Sequence, residues 1–216
     1  MSEQSDLPQP LPLLIAHAKG RDRDWHRLCW DIDERMARIV FGKKEGAVAA
    51  IRLAWWEEAL ASDGTKGKGE PMLERWHGFR PGERDKERVH ALAAAWRMLL
   101  DPAEMTEKDW RGFGEGRAAL FALIARGADT DRRRRAGALW ALWNAARHDP
   151  DRQRAEGAFA AAIALLEEEG APSRVTPRPL QLAAAMAADD VRARVMPVPE
   201  FSLRQYLRMV GRAIFQ

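Results

Sequence analysis

The sequence has little of what builds disulfides, membrane spans or β-sheets. Its single cysteine, Cys29, excludes an internal disulfide and a cysteine-rich metal site, and is expected to be a small core residue. No run of about 18 apolar residues occurs, and the start lacks a basic segment followed by an apolar one, so we expect neither a membrane span nor a secretory signal. β-branched residues are scattered without sustained alternation, which argues against strands. The expected location is the cytoplasm.

Composition favours one folded domain with a mixed surface charge. Hydrophobic residues make up 46% of the 216 residues, enough for one sizeable core. The 35 basic residues, 28 of them arginine, almost balance 32 acidic residues, and the two signs alternate along most segments. Because such alternation is typical of solvated helix faces, no nucleic-acid partner is expected.

Helical periodicity predicts an all-α chain, a single compact orthogonal bundle of about ten helices. A flexible, proline-rich start at 1–10 precedes one helical domain at 11–216. Helices are expected near 11–18, 23–41, 45–62, 71–79, 83–100, 130–148, 149–169, 179–195 and 202–214. Val89, Leu92, Trp96 and Leu99 should form the buried side of the helix at 83–100.

Local signals predict where several helices begin or break. Asp101-Pro102 and Thr106 with Asp109 are two candidate starts, Asp149-Pro150 opens the helix that ends at about 169, and Ser202 with Gln205 forms a capping box. Gly112, Gly114 and Gly116 are expected to interrupt the helix that contains them.

Trp55 and Trp56 stand next to each other inside a strongly helical run. Adjacent helical residues are rotated by about 100°, so one ring should lie in the core and the other at a rim. One apolar stripe is predicted to contain Val48, Ile51, Trp55 and Ala59.

The wording Arg-Leu-x-Trp-Trp-x-x-Ala-Leu at 52–60 resembles divergent members of the squalene/phytoene synthase family, in a short bacterial branch. Segments 28–40, 138–148 and 178–183 extend the likeness, which touches most of 23–195. The resemblance implies a trans-isoprenoid synthase-like helical fold. It also implies that active relatives condense prenyl diphosphates with Mg²⁺, held by an Asp-rich motif on each of two facing helices.

Both metal-binding motifs of the family are missing. Counting back from Arg52 places the expected aspartates at Ala37, Arg38 and Phe41, none of which is a Mg²⁺ ligand. The second motif is approached by Asn144-Ala145-Ala146-Arg147, but His148 stands where the acid should be. The five histidines have no metal-site spacing, so no metal is expected, and Mg²⁺ would be needed only if the chain were active.

The remaining site candidates are weak. Asp31, Asp33 and Asp149 are the catalytic candidates, although Asp31, Asp33 and Glu34 are better interpreted as solvated or salt-bridged helix residues. Candidates for binding a ligand or a phosphate are Arg38, Arg52, Asn144 and Arg147. The adjacent Asp189 and Asp190 diverge and should lie on a solvated face.

Two basic segments are candidate surfaces for a protein partner or a membrane. Arg132, Arg133, Arg134 and Arg135 crowd the first turn of a helix, where the dipole disfavours cations. In the last helix, Leu203, Leu207, Val210 and Ile214 share one face and Arg204, Arg208 and Arg212 another. That pattern suits a membrane surface or a partner's groove.

Three functions remain open. The first is a non-catalytic binding or assembly factor on the synthase scaffold, with a lipid or isoprenoid as a candidate ligand. The resemblance links such relatives to assembly of a respiratory complex. The second is an active prenyltransferase, and the third is a structural subunit or adaptor that docks through its basic helices. A peripheral position at the inner face of a membrane is an open alternative to a purely cytoplasmic location. The oligomeric state stays open.

Overall fold

The computed structural model describes residues 7–42, 46–100, 104–127, 129–198 and 201–215, with side chains in the last range given at 201–203, 205–209 and 211. These residues form eleven α-helices and one short 3₁₀ helix at Gly20–Asp22, and no strand occurs among them. The helices are α1 (Leu11–Ala16), α2 (Arg23–Val40), α3 (Gly46–Ala61), α4 (Pro71–Gly78), α5 (Glu83–Met98), α6 (Glu107–Arg117), α7 (Ala119–Ala125), α8 (Asp131–His148), α9 (Arg152–Glu169), α10 (Arg178–Ala193) and α11 (Leu203–Phe215). The all-α prediction is confirmed.

Helix α8 lies at the centre of one half of the fold. It packs against α6, α7, α9 and α10, and its buried residues include Trp140 and Trp143. A helix that is apolar on nearly every side must be surrounded by others. In the other half α2 packs against α3, α4, α5 and α7, and the rings of Trp30 (α2) and Trp140 (α8) lie 5.4 Å apart. One continuous hydrophobic core therefore joins both halves.

Helix α6 is continuous through Gly112, Gly114 and Gly116, and the interruption predicted near them comes at Ala118, between α6 and α7. Gly114 lies against Leu142 of α8, and a Cβ on it would stand 3.2 Å from that side chain. Gly116 lies against α5, where a Cβ would stand 3.0 Å from the Cβ of Ala95. The absence of side chains lets α6 approach both helices closely, and packing outweighs the low helix propensity of glycine.

The buried face of α3 is not the predicted stripe. Ala49, Leu53, Trp56, Ala59 and Leu60 are buried, and of the predicted set only Ala59 is among them. The others are exposed: Val48 by 41%, Ile51 by 71% and Trp55 by 42%. Trp56 lies in the core and touches Trp55 edge to face, as adjacent positions require. Because α3 is apolar on both sides, periodicity could not decide which side faces inward.

Capping residues fix the helix ends. Thr106 and Asp109 form a capping box at the predicted start of α6, and Gln205 accepts a hydrogen bond from the Ser202 amide at the start of α11 as predicted. The start of α9 was assigned wrongly: Asp151 is the N-cap, accepting from the Arg154 amide, whereas Asp149 follows the end of α8. Asp101-Pro102 lies outside the described residues.

The proline-rich start divides in two. Residues 1–6 lie outside the described part of the chain, while Leu7 and Pro10 are buried and lead into α1.

Cys29 is fully buried, in agreement with a core role, and burial raises the pKa of its thiol. Among the helices described, none is long and apolar enough to cross a membrane.

Candidate functional site

Asp33 of α2 and Arg117 of α6 form a buried ion pair. The carboxylate accepts hydrogen bonds from Arg117 Nη2 at 2.6 Å and from Nε at 3.1 Å, and both side chains are almost completely buried. Removing two charges from water costs several kcal/mol per ion, which only good geometry and additional hydrogen bonds offset. This pair has both.

Trp96 and Asn144 supply the additional contacts. Trp96 Nε1 donates to Asp33 Oδ1 at 2.8 Å, and the Arg117 guanidinium carbon lies 4.2 Å from the centre of the Trp96 ring. Arg117 Nη2 also donates to Asn144 Oδ1 of α8 at 2.7 Å. We call Asp33, Trp96, Arg117 and Asn144 the Arg117 cluster. Its arginine, on α6, is bonded to both α2 and α8.

Arg38 and Phe41, two of the positions at which metal-binding aspartates were sought, have different roles in the structure. Phe41 meets Trp96 edge to face at 5.7 Å, which extends the wall of the Arg117 cluster. Arg38 is exposed and pairs with Glu34 one turn earlier at 3.2 Å. Burial, and then the neighbouring charge of Asp33, raise the pKa of Glu34. Arg38 is therefore a surface ion-pair residue in this structure.

Asp31 is buried, which the sequence did not predict. Its carboxylate pairs with Arg75 at 3.0 Å and lies 4.0 Å from Arg27. Burial raises the pKa of Asp31, while the bond from Arg75 acts in the opposite direction. The ion pairs agree with the predicted salt-bridged state; the burial follows from α4 packing across α2.

The candidate residues Arg147 and Asp149 lie near the end of α8 and have separate contacts. Asp149 is bound by two nitrogens of Arg154 at 2.9 Å, and its side chain is fully buried. Arg147 lies over the Trp143 ring at 5.2 Å. The structure thus joins Asp33 to Asn144 through Arg117, while Asp31 and Asp149 each pair with arginines of their own.

Asp190 is buried, so its predicted place on a solvated face is wrong. It accepts hydrogen bonds from Gln205 Nε2 of α11 at 2.7 Å and from Trp143 Nε1 at 3.2 Å. Burial raises its pKa, although both hydrogen bonds oppose that effect. These contacts hold α11 with Gln205 and Met209 inward, which leaves Leu203 and Leu207 exposed by 73% and 59%.

Three of the four arginines at the start of α8 have hydrogen-bond or ion-pair partners, and two of these partners lie far away in the sequence. Arg133 is buried and donates to the Thr176 carbonyl, Arg134 pairs with Asp129 and Asp131, and Arg135 pairs with Glu169. Arg132 is exposed.

The other predicted basic residues lie at the surface. Arg52 is exposed beside Ile51 on α3, and Arg208 lies 3.7 Å from Asp189. The side chains of Arg204 and Arg212 lie outside those described.

Within the part of the chain that is described, no group of three or more His, Cys, Asp or Glu side chains could hold a metal ion. His26 is buried in α2.

Arg117 is the residue that sequence reasoning missed. Trp110, Phe113 and Gly114 share its side of α6, so an arginine stands in line with apolar positions. A charged residue among buried apolar positions indicates that it has a buried partner. Sequence spacing could not identify that partner as Asp33, which is 84 residues away in the chain.

Searches of family models, curated proteins and solved structures found no match to this chain.

Proposed function

We propose that this chain is a non-catalytic helical protein on a squalene/phytoene synthase-like scaffold, acting as a binding or assembly factor. The Arg117 cluster carries the proposal. Ionising a prenyl diphosphate needs carboxylates that are free to hold Mg²⁺. Asp33 instead neutralises a buried arginine that crosses to α8.

Two observations support the family part of the proposal. The order of Arg52, Trp55 and Trp56 matches the family's sequence motif, and the architecture is all-α. The resemblance extends the proposed role to assembly of a respiratory complex, with the protein in the cytoplasm, peripheral to the inner face of a membrane. The alternative of an active prenyltransferase requires Asp31, Asp33 and Asp149 to release their arginines, each at the cost of an uncompensated buried charge.

Two exposed apolar patches support a role in binding. Val48, Ile51 and Trp55 form the α3 patch, and Leu203 and Leu207 form the α11 patch. Neighbouring apolar side chains on the solvent side of a helix are typical of surfaces that contact other molecules. Arg52 beside the first patch and Arg208 beside the second add positive charge, which also favours the adaptor alternative.

Incubation with farnesyl or geranylgeranyl diphosphate and Mg²⁺ is expected to release no diphosphate above the protein-free background. The physical reason is that the acids which would hold Mg²⁺ are engaged in ion pairs. A colorimetric or chromatographic diphosphate assay measures this outcome. Release that rises in proportion to protein concentration would show that the chain is an enzyme.

Replacing Ile51 with aspartate is expected to weaken partner capture from native membranes by about tenfold, because a buried aliphatic side chain contributes about 1.5–3 kcal/mol. Leu207→Asp tests the α11 patch in the same way. Quantitative recovery on immobilised protein is the readout. Arg152→Asp is the control, since that side chain is 91% exposed on α9. Recovery equal to the control for both patch variants would count against these surfaces.

A further inference from the structure

A cleft of about 670 Å³ lies where the start of α8 meets the connection between α9 and α10. Residues 130–133 and Arg135 line one side, and residues 169–176 line the other. It is separate from the Arg117 cluster, which shares none of these residues. Its volume falls in the range of small-molecule sites, about 300–1,000 Å³.

The charge of this cleft is positive. Four arginines line it, against two acids, and both acids are already engaged: Asp131 pairs with Arg134 and Glu169 with Arg135. The lining arginines are Arg132, Arg133, Arg135 and Arg174. Arg132 and Arg174 form no ion pair with any residue that the structure describes. Two guanidinium groups at the cleft thus lack a balancing anion from the described chain.

The walls of the cleft are held in place by hydrogen bonds. Gln181 of α10 accepts from the Val175 amide at 2.7 Å, and the buried Arg133 donates from Nε to the Thr176 carbonyl at 3.2 Å. Both bonds fix the connection that carries Arg174. A backbone that is already fixed loses less entropy when an anion binds than a freely moving connection would.

A neighbouring cleft of about 690 Å³ shares residues 171–176 and continues along α10. It adds Arg178 and Arg192 to the lining, together with the apolar residues Leu182 and Ala185. The arginine-lined surface therefore extends from the first cleft into the second, and together they are larger than one small anion.

We propose that this arginine cleft binds a phosphate-bearing anion. Arginine presents a planar fork of donors that matches phosphate oxygens and gives short, charge-assisted hydrogen bonds. The start of α8 contributes the positive end of its dipole, so an anion there offsets both the dipole and the crowded arginines. The proposal does not depend on whether the chain is catalytic. The phosphate can belong to a free molecule or to a lipid head group.

Titration of the full chain with inorganic pyrophosphate, followed by calorimetry, tests the free-molecule source. Saturable binding is expected, and Arg132→Ser with Arg174→Ser should weaken it at least tenfold, because two charged hydrogen-bond partners are lost. Both side chains are exposed, so the variant should keep its helical circular dichroism. The matched control is Arg152→Ser, an exposed arginine on α9 away from the cleft.

Cosedimentation with vesicles tests the head-group source. Phosphatidylglycerol mixed into phosphatidylcholine is compared with phosphatidylcholine alone. Binding to the anionic vesicles that falls in the Arg132 and Arg174 variant but not in the control supports the cleft with a lipid ligand. Pyrophosphate binding with the same dependence supports a free ligand. Absence of binding to both probes, or binding that the double variant leaves at the control level, overturns the proposal.

Discussion

Replacing Arg117 with methionine is expected to lower the free energy of unfolding by about 3–5 kcal/mol. The substitution leaves Asp33 as a buried carboxylate whose main counter-charge is gone, with Trp96 as its remaining hydrogen-bond donor among the contacts described above. Denaturant unfolding, followed by tryptophan fluorescence and far-ultraviolet circular dichroism, measures the change. An expected fall of this size is a large part of the stability of an ordinary domain.

Two further variants separate the buried charge from ordinary packing. Arg152→Met removes an exposed arginine and its i,i+4 pair with Glu156, so no measurable loss of stability is expected. Asp33→Leu combined with Arg117→Met removes both charges and should recover much of the lost stability. If Arg117→Met cost no more than Arg152→Met, the ion pair would not be a determinant of stability.

Replacing Gly137 with alanine is expected to destabilise the protein by about 1–3 kcal/mol, although alanine is the better helix former. The new Cβ would stand 2.8 Å from the Cα of Ala118 and 3.0 Å from its Cβ. Backbone at the α6–α7 junction cannot rotate away as a flexible side chain could. Thermal and denaturant unfolding of the purified variant measure the loss.

Gly112→Ala is the matched control for that prediction. Gly112 is also inside a helix, but its new Cβ would meet only the end of the Met98 side chain, at an ordinary 3.6 Å. We therefore expect a gain of up to about 1 kcal/mol from helix propensity alone. The opposite signs of the two changes are the test. A stabilising Gly137→Ala would mean that α8 and the α6–α7 junction are not in close contact.

The ion pair that the Arg117 experiments test also bears on function, because it occupies the carboxylate of Asp33. An active site built from the same helices would present free carboxylates to a polar cavity, whereas here α2, α5, α6 and α8 close on a charge pair that is satisfied by its neighbours. Such a centre can hold the helices in register, and in the proposed non-catalytic role it binds no metal. The exposed patches and the arginine cleft are then the surfaces at which binding is proposed.

Local chemistry made much of the helical layout predictable. The Thr106 and Asp109 capping box, and the spacing of Val89, Leu92 and Trp96, are signals carried by residues three to seven positions apart. The wrongly predicted start of α9 also has a local cause. Asp149 was preferred as a helix start because proline follows it, but two bonds from Arg154 draw its side chain into the turn and leave the cap to Asp151.

Local signals could not predict which faces of α3 and α11 are buried. In α3 the alternative stripes through Trp55 and Trp56 are both apolar, so neither is excluded by periodicity. In α11 the leucines predicted as one face include Leu203 and Leu207, which are exposed, because Gln205 is drawn inward to Asp190. The orientation of α11 about its own axis therefore depends on Asp190, which lies on α10.

The helical class, most helix ends and the lack of carboxylates at Ala37, Arg38 and Phe41 could be predicted, because each depends on residue type and near neighbours. The folded structure was needed to establish that Asp33 meets Arg117, that Asp190 is buried, and that Ile51 and Leu207 face water. These outcomes depend on contacts between residues far apart in the chain. The energy of burying a charge or an apolar side chain is set by what the fold places beside it.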